Sequence, residues 1–117
     1  YHDAKVCEKV TRELLSGPDR PTCIFFPDDY SYVGGLNAIR EKGLRIPQDI
    51  SVMGYDGVQL ADIVSPRLTT YCQDTRAMGK AAARGVIDLI ERPRTTLTDR
   101  IVVPGHIRIR DSVAKLK

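Results

Sequence analysis

Two short apolar runs, each closing on acid and a turn, constrain this chain more than anything else in it. One is Thr22-Cys23-Ile24-Phe25-Phe26-Pro27-Asp28-Asp29; the other is Ile50-Ser51-Val52-Met53-Gly54-Tyr55-Asp56-Gly57. Each reads as a buried strand that runs into a turn. Helical patterns lie before, between and after them, and such β-α alternation argues for a doubly wound parallel α/β sheet. Ligands of open α/β sheets bind in the crevice outside the carboxyl ends of the strands. Asp28, Asp29 and Asp56 are therefore expected together on one acidic rim.

Taken in order, Asp3 can cap a helix over 4–15, with Val6, Val10 and Leu14 as its stripe and Cys7 and Leu15 beside it. Ser16-Gly17-Pro18 stops it. Residues 22–26 form the first strand, apolar throughout, as expected for burial on two faces. A second helix over 30–42 ends at Gly43. At 100° per residue, Tyr32, Gly35, Leu36 and Ile39 make its core face, while Tyr30, Val33 and Asn37 lie opposite with Gly34 nearby. That second face is readable as a subunit contact or as scattered surface apolars. After the strand at 50–54 come a short helical segment at 58–64 and a strand at 68–72. A long helix over 75–91 follows, with the stripe Met78, Ala82, Gly85, Val86 and Leu89. Ile101-Val102-Val103 and the alternating His106-Ile107-Arg108-Ile109-Arg110 read as two last strands, and Ser112–Lys117 as a frayed tail.

A chain of 117 residues is one domain's worth or a piece of one, and Tyr1 is not a natural initiator. Its 18 basic and 15 acidic residues are mixed along the chain, and a net charge of +3 makes no argument for nucleic-acid binding. No apolar run approaches the roughly 18 residues of a membrane span. The three cysteines, Cys7, Cys23 and Cys72, have no metal-ligand spacing and read as buried free thiols of a reducing compartment. No catalytic set, metal site or cofactor loop emerges. His2 and His106 pair with no nucleophile, and Gly34-Gly35 lacks the spacing of a phosphate loop.

The carboxylates carry what chemistry there is. One acid is enough to cap the second helix, and Asp29 is read as that cap, with Asp28 open to either role. Asp56 sits in a glycine-flanked turn where backbone can approach a ligand closely, or where it can bond its own backbone. Ionised carboxylates accept hydrogen bonds only, which suits vicinal hydroxyls, amines, a guanidinium or a hard metal ion. The metal option admits a remote alternative, a magnesium-dependent receiver-like phosphotransfer domain. Against it, the strand at 68–72 is followed by Gln73-Asp74 and not by lysine.

Four segments carry a resemblance. Pro21–Asp29 resembles the "PTAIFCAND" segment of the lactose/galactose-repressor (LacI/GalR) family. Gly43–Asp56 is similar to that family's "GLRVPEDISVVGYDD". Ser65-Pro66-Arg67-Leu68-Thr69-Thr70 with Gln73, Asp74 and Gly79 resembles "SPPLTTVRQP…LG", and His106–Ser112 resembles the closing "ELVVRES". The match covers nearly the whole chain, in order and at family spacing. It departs at Pro27 for Ala, at Asp28 for Asn, which exchanges an amide donor for a charge, and at Gly57 for the second Asp.

The resemblance implies a periplasmic-binding-protein-like (type I) α/β fold, seen as its C-terminal lobe plus crossover. Residues 1–72 would be a partial C-terminal effector-binding lobe. Residues 73–104 would be the crossover and a helix of the N-terminal lobe, and 105–117 the return strand and tail. It also implies an effector site using Asp56, Asp28 and Gln73, and a homodimer contact using Val33, Asn37, Ile63 and Val64. The implied protein is a cytoplasmic transcription regulator, not an enzyme. It would hold a small molecule, a sugar or related metabolite, and reach operator DNA only through a helix-turn-helix absent from these residues. A sugar-binding receptor of the same fold is the alternative.

Overall fold

Asp3 opens the first helix, its carboxylate accepting from the Val6 amide at 3.0 Å. The computed structural model describes residues 3–97 and 100–116. Its elements are α1 (Ala4–Ser16), β1 (Cys23–Phe25), α2 (Ser31–Glu41), β2 (Ser51–Asp56), α3 (Leu60–Ile63), β3 (Thr69–Cys72), α4 (Thr75–Glu91) and β4 (His106–Arg108). The sheet has the order β1-β2-β3-β4. The first three strands are parallel, and β4 returns antiparallel to β3. The doubly wound, mostly parallel sheet expected from the alternation is present.

The chain divides into two units, Tyr1–Cys72 with His106–Lys117, and Gln73–Gly105. The core of the first joins Leu15 of α1, Tyr32, Leu36 and Ile39 of α2, and Val52 of β2 with Phe26, Ile50, Ala61 and Leu68. Burying each such Leu, Ile or Val stabilises by roughly 1.5–3 kcal/mol. Phe26 and Tyr32 meet edge to face at 5.5 Å. Side chains alternate across a strand, so Met53, Tyr55 and Tyr71 line the other side of the sheet. There the two tyrosines stack at 5.3 Å. The second unit is α4 and the segment after it. Asp74 caps α4 by accepting from the Ala77 amide at 2.8 Å, and no residue of that helix is buried.

Several expectations fail, each for a physical reason. Ile24 turns to the core while its neighbours on β1 point to the opposite face, so Cys23 is exposed and Phe25 is 58% exposed, not buried on two faces. On α1 the stripe Val6, Val10, Leu14 faces outward, and the inward side is Cys7, Thr11 and Leu15. The helix turns that side in because it lies close against α2, where a Cβ on Gly34 would come within 1.8 Å of the Ala4 carbonyl oxygen. Cys7 and Cys72 are only half-buried, so burial of all three thiols is not found. Residues 101–103 form no strand, and Ile101 and Val102 stay exposed. Ser112 is fully buried and not frayed. Its hydroxyl donates to Val52 O at 2.7 Å and accepts from Thr69 N at 2.8 Å, while its carbonyl accepts from Val52 N at 2.9 Å.

Candidate effector site

Parallel pairing of β1 with β2, Phe25 opposite Met53, sends both strands to the same rim. The pairing continues beyond β1: Phe26 N donates to Met53 O at 2.8 Å and Asp29 N to Tyr55 O at 2.9 Å. The three acids consequently stand at one end of the sheet.

Their roles differ from the sequence reading. Asp28 holds the start of α2, whose N-cap position is Tyr30. Asp28 is 2% exposed, and its two oxygens accept from the Ser31 amide and hydroxyl, both at 2.7 Å. Asp29 caps nothing. It is fully buried, and one carboxylate oxygen accepts from Gly57 N and Val58 N, each at 2.9 Å, while the other accepts from the Thr70 hydroxyl at 2.7 Å. Burial pushes the Asp29 carboxyl above its usual range. The Thr70, Val58 and Gly57 hydrogen bonds work against that rise, and the charge of Asp56 adds to it.

Asp56 ends β2 opposite Cys72 and is half-buried. Its φ of 107° lies in the region that non-glycine residues rarely occupy, and the next residue, Gly57, has φ 77°. Two successive positive φ values swing the chain out of the sheet at the rim. Gly57 is required there twice over, since a Cβ would lie 2.6 Å from Cys72 Sγ and 2.7 Å from Cys72 Cα. The arrangement can accept hydrogen bonds from ligand hydroxyls or amines. Among the described residues no group of three or more His, Cys, Asp or Glu could hold a metal ion.

Gln73 follows β3 directly and is half-buried at the start of the second unit. On α2, Val33 is half-buried and Asn37 exposed, whereas Gly34 of the same second face is taken up by α1. Asn37 reaches Glu8 of α1 at 3.5 Å. At the end of α3, Ile63 is 70% exposed, but Val64 turns inward to pack on the core. Arg40 ties the two segments, donating to Ser65 O at 2.8 Å. The sequence reading missed Asp29 as a clasp, Thr70 as its partner and Ser112 as an anchor. The only signal was that each is a polar residue next to an apolar strand, where burial demands a hydrogen-bond partner.

An open, mostly parallel sheet with buried acids at its strand ends defines an open-sheet α/β domain. The periplasmic binding protein-like domain family matches residues 1–113, and the chain belongs to that family in the form carried by LacI-type transcription regulators. It is 39% identical over 106 residues to the ribose operon repressor of Haemophilus influenzae, covering 91% of this chain and 32% of that protein. It is 40% identical over 106 residues to the HTH-type transcriptional repressor PurR of Vibrio vulnificus, covering 89% of this chain and 31% of the relative. A LacI family transcriptional regulator from Enterococcus faecium, solved with bound ribose, superposes with a TM-score of 0.87 at 29% identity, over 98% of this chain and 42% of that one. The chain thus spans about a third of the length of the curated relatives it matches.

Proposed function

We propose that this chain is the effector-sensing and dimerising part of a cytoplasmic, LacI-type DNA-binding regulator, and that it binds a sugar or related metabolite without transforming it. Residues 1–72 serve as part of the C-terminal effector-binding lobe, residues 73–104 as the crossover and a helix of the N-terminal lobe, and residues 105–117 as the return strand and tail. Asp56 accepts from a ligand hydroxyl or amine, and Gln73 is a further candidate effector-binding residue. Asp28 acts from behind, since its oxygens are engaged by Ser31. Val33, Asn37, Ile63 and Val64 mark the homodimer contact, and operator DNA is met through a helix-turn-helix outside these residues.

What supports this reading is the shared rim: Asp29 N donates to Tyr55 O at 2.9 Å, which brings the ends of β1 and β2, and with them Asp28, Asp29 and Asp56, to one end of the sheet. That the relatives are named repressors favours a regulator over a receptor of the same fold. A ligand shifts such a protein only by its differential affinity for two states. The test is calorimetric titration of the full-length protein with D-ribose and a set of pentoses, hexoses and disaccharides. One sugar is expected to bind, and Asp56→Ala is expected to weaken it by about 10- to 100-fold, the loss of a charge-assisted hydrogen bond or two. Unchanged affinity in a folded Asp56→Ala protein rejects the assignment.

A further inference from the structure

We infer that Asp29 is a positioning residue of the effector site, whose carboxylate clasps the turn after β2 to β3 and so holds Asp56 in its unusual backbone conformation. The inference rests on the effector reading of Asp56 and deepens it.

Three observations converge on it. First, all three side-chain hydrogen bonds of Asp29 are to distant parts of the chain: Gly57 N and Val58 N of the turn, and Thr70 Oγ1 of β3. A carboxylate is the side chain suited to this, because it accepts only and every group aimed at it donates. Second, the bonds fall immediately after the residue under strain. Asp56 has φ 107° and Gly57 φ 77°, and such conformations persist only where surrounding structure over-determines them. The amides of residues 57 and 58 are the groups whose capture fixes that pair of dihedrals. Third, β2 is cut back to admit the carboxylate: a Cβ on Gly54 would lie 2.3 Å from Asp29 Oδ1. Because Asp28, one residue earlier, accepts from Ser31 at the start of α2, the clasp also joins the start of α2 to the turn that carries Asp56.

The inference is tested in the full-length protein with Asp29→Ala, Asp29→Asn and Thr70→Val, reading amide hydrogen exchange and D-ribose affinity. In Asp29→Ala and Thr70→Val, exchange at Gly57 and Val58 is expected to quicken by about tenfold or more, as when hydrogen bonds to a charged acceptor are lost or loosened. Ile39, buried in α2, is expected to keep wild-type exchange and reports the fold. D-ribose affinity is expected to fall with the loosened turn. Asn keeps one acceptor oxygen for the two amides, and the Thr70 hydroxyl can reverse to accept from its amide nitrogen. Asp29→Asn is therefore expected to restore both readouts to within a few-fold. Wild-type exchange at Gly57 and Val58 in Thr70→Val overturns the clasp, and that variant decides the matter if Asp29→Ala does not fold. A loosened turn with unchanged ribose affinity makes Asp29 structural only and also overturns the inference. If the wild-type protein takes up no ribose, the ribose form of the effector reading fails, while the exchange rates still decide whether Asp29 holds the turn.

Discussion

Tyr32 and Gly57 are the two residues at which a single atom decides the outcome. The Tyr32 ring is fully buried, and its hydroxyl has no hydrogen-bond partner among the described residues. Burial pushes its phenol up to about 12, with the charge of Arg40 opposing the rise. An unpaired buried hydroxyl costs about 1–3 kcal/mol, so Tyr32→Phe is expected to leave stability unchanged or to raise it by up to that amount in urea denaturation. The pH dependence has a definite sign. The folded phenol holds its proton more tightly than the unfolded one, near 10, so its contribution is complete below about pH 10 and lost as pH rises toward 12. The phenylalanine variant should lack that alkaline decline. Gly57→Ala should act the other way. The positive φ alone costs an L residue about 1–2 kcal/mol, and the clash with Cys72 adds about 1–3 more. A folded protein with wild-type urea midpoint would refute the geometry of the turn.

At the scale of elements, the closing segment matters more than its composition suggests. Ser112 stands where β3 has not yet begun, and it supplies β2 with the partner that β3 lacks at the level of Val52. Ala114 N donates to Ser51 Oγ at 3.1 Å one step further on. Ser112→Ala leaves the Thr69 amide and the Val52 carbonyl short of a partner in a dry site, and is expected to cost about 1–3 kcal/mol by urea denaturation. Ending the chain at Asp111 should cost more, because the Val52 N bond and the Ala114 bond go as well. The helices and parallel strands were legible in the sequence because each depends on local signals: apolar period, caps, glycine stops. Asp3 and the core face of α2 are examples. The roles of Asp28 and Asp29 were not legible. Both precede a helix, and only the pairing of Asp29 N with Tyr55 O turns the second carboxylate away from α2 and toward β3. The outward stripe of α1 was equally hidden, since which of two adjacent apolar rows faces inward is set by the close approach at Gly34.

On the scale of the whole molecule, the chain spans about a third of its relatives' length. The proposed subunit contact makes unequal demands on its four residues. Ile63 is 70% exposed, and Val33 is half-buried on α2. A carboxylate at either position should leave the monomer folded and repel its two-fold mate, since a residue near the axis of an isologous interface meets its own copy's surroundings. Val33→Asp and Ile63→Asp are therefore expected to shift sedimentation of the full-length protein from dimer toward monomer, with the far-ultraviolet circular dichroism unchanged. Val64 packs against the core of its own unit, so Val64→Asp should lower stability by about 2–5 kcal/mol, as burial of an unpaired charge does. Its effect on the dimer should follow from that loss. Because Arg40 holds α2 to Ser65 beside Val64, Arg40→Ala should weaken the dimer less than Val33→Asp and without adding a charge. A protein that remains dimeric with Val33→Asp and Ile63→Asp combined would place the subunit contact on another face.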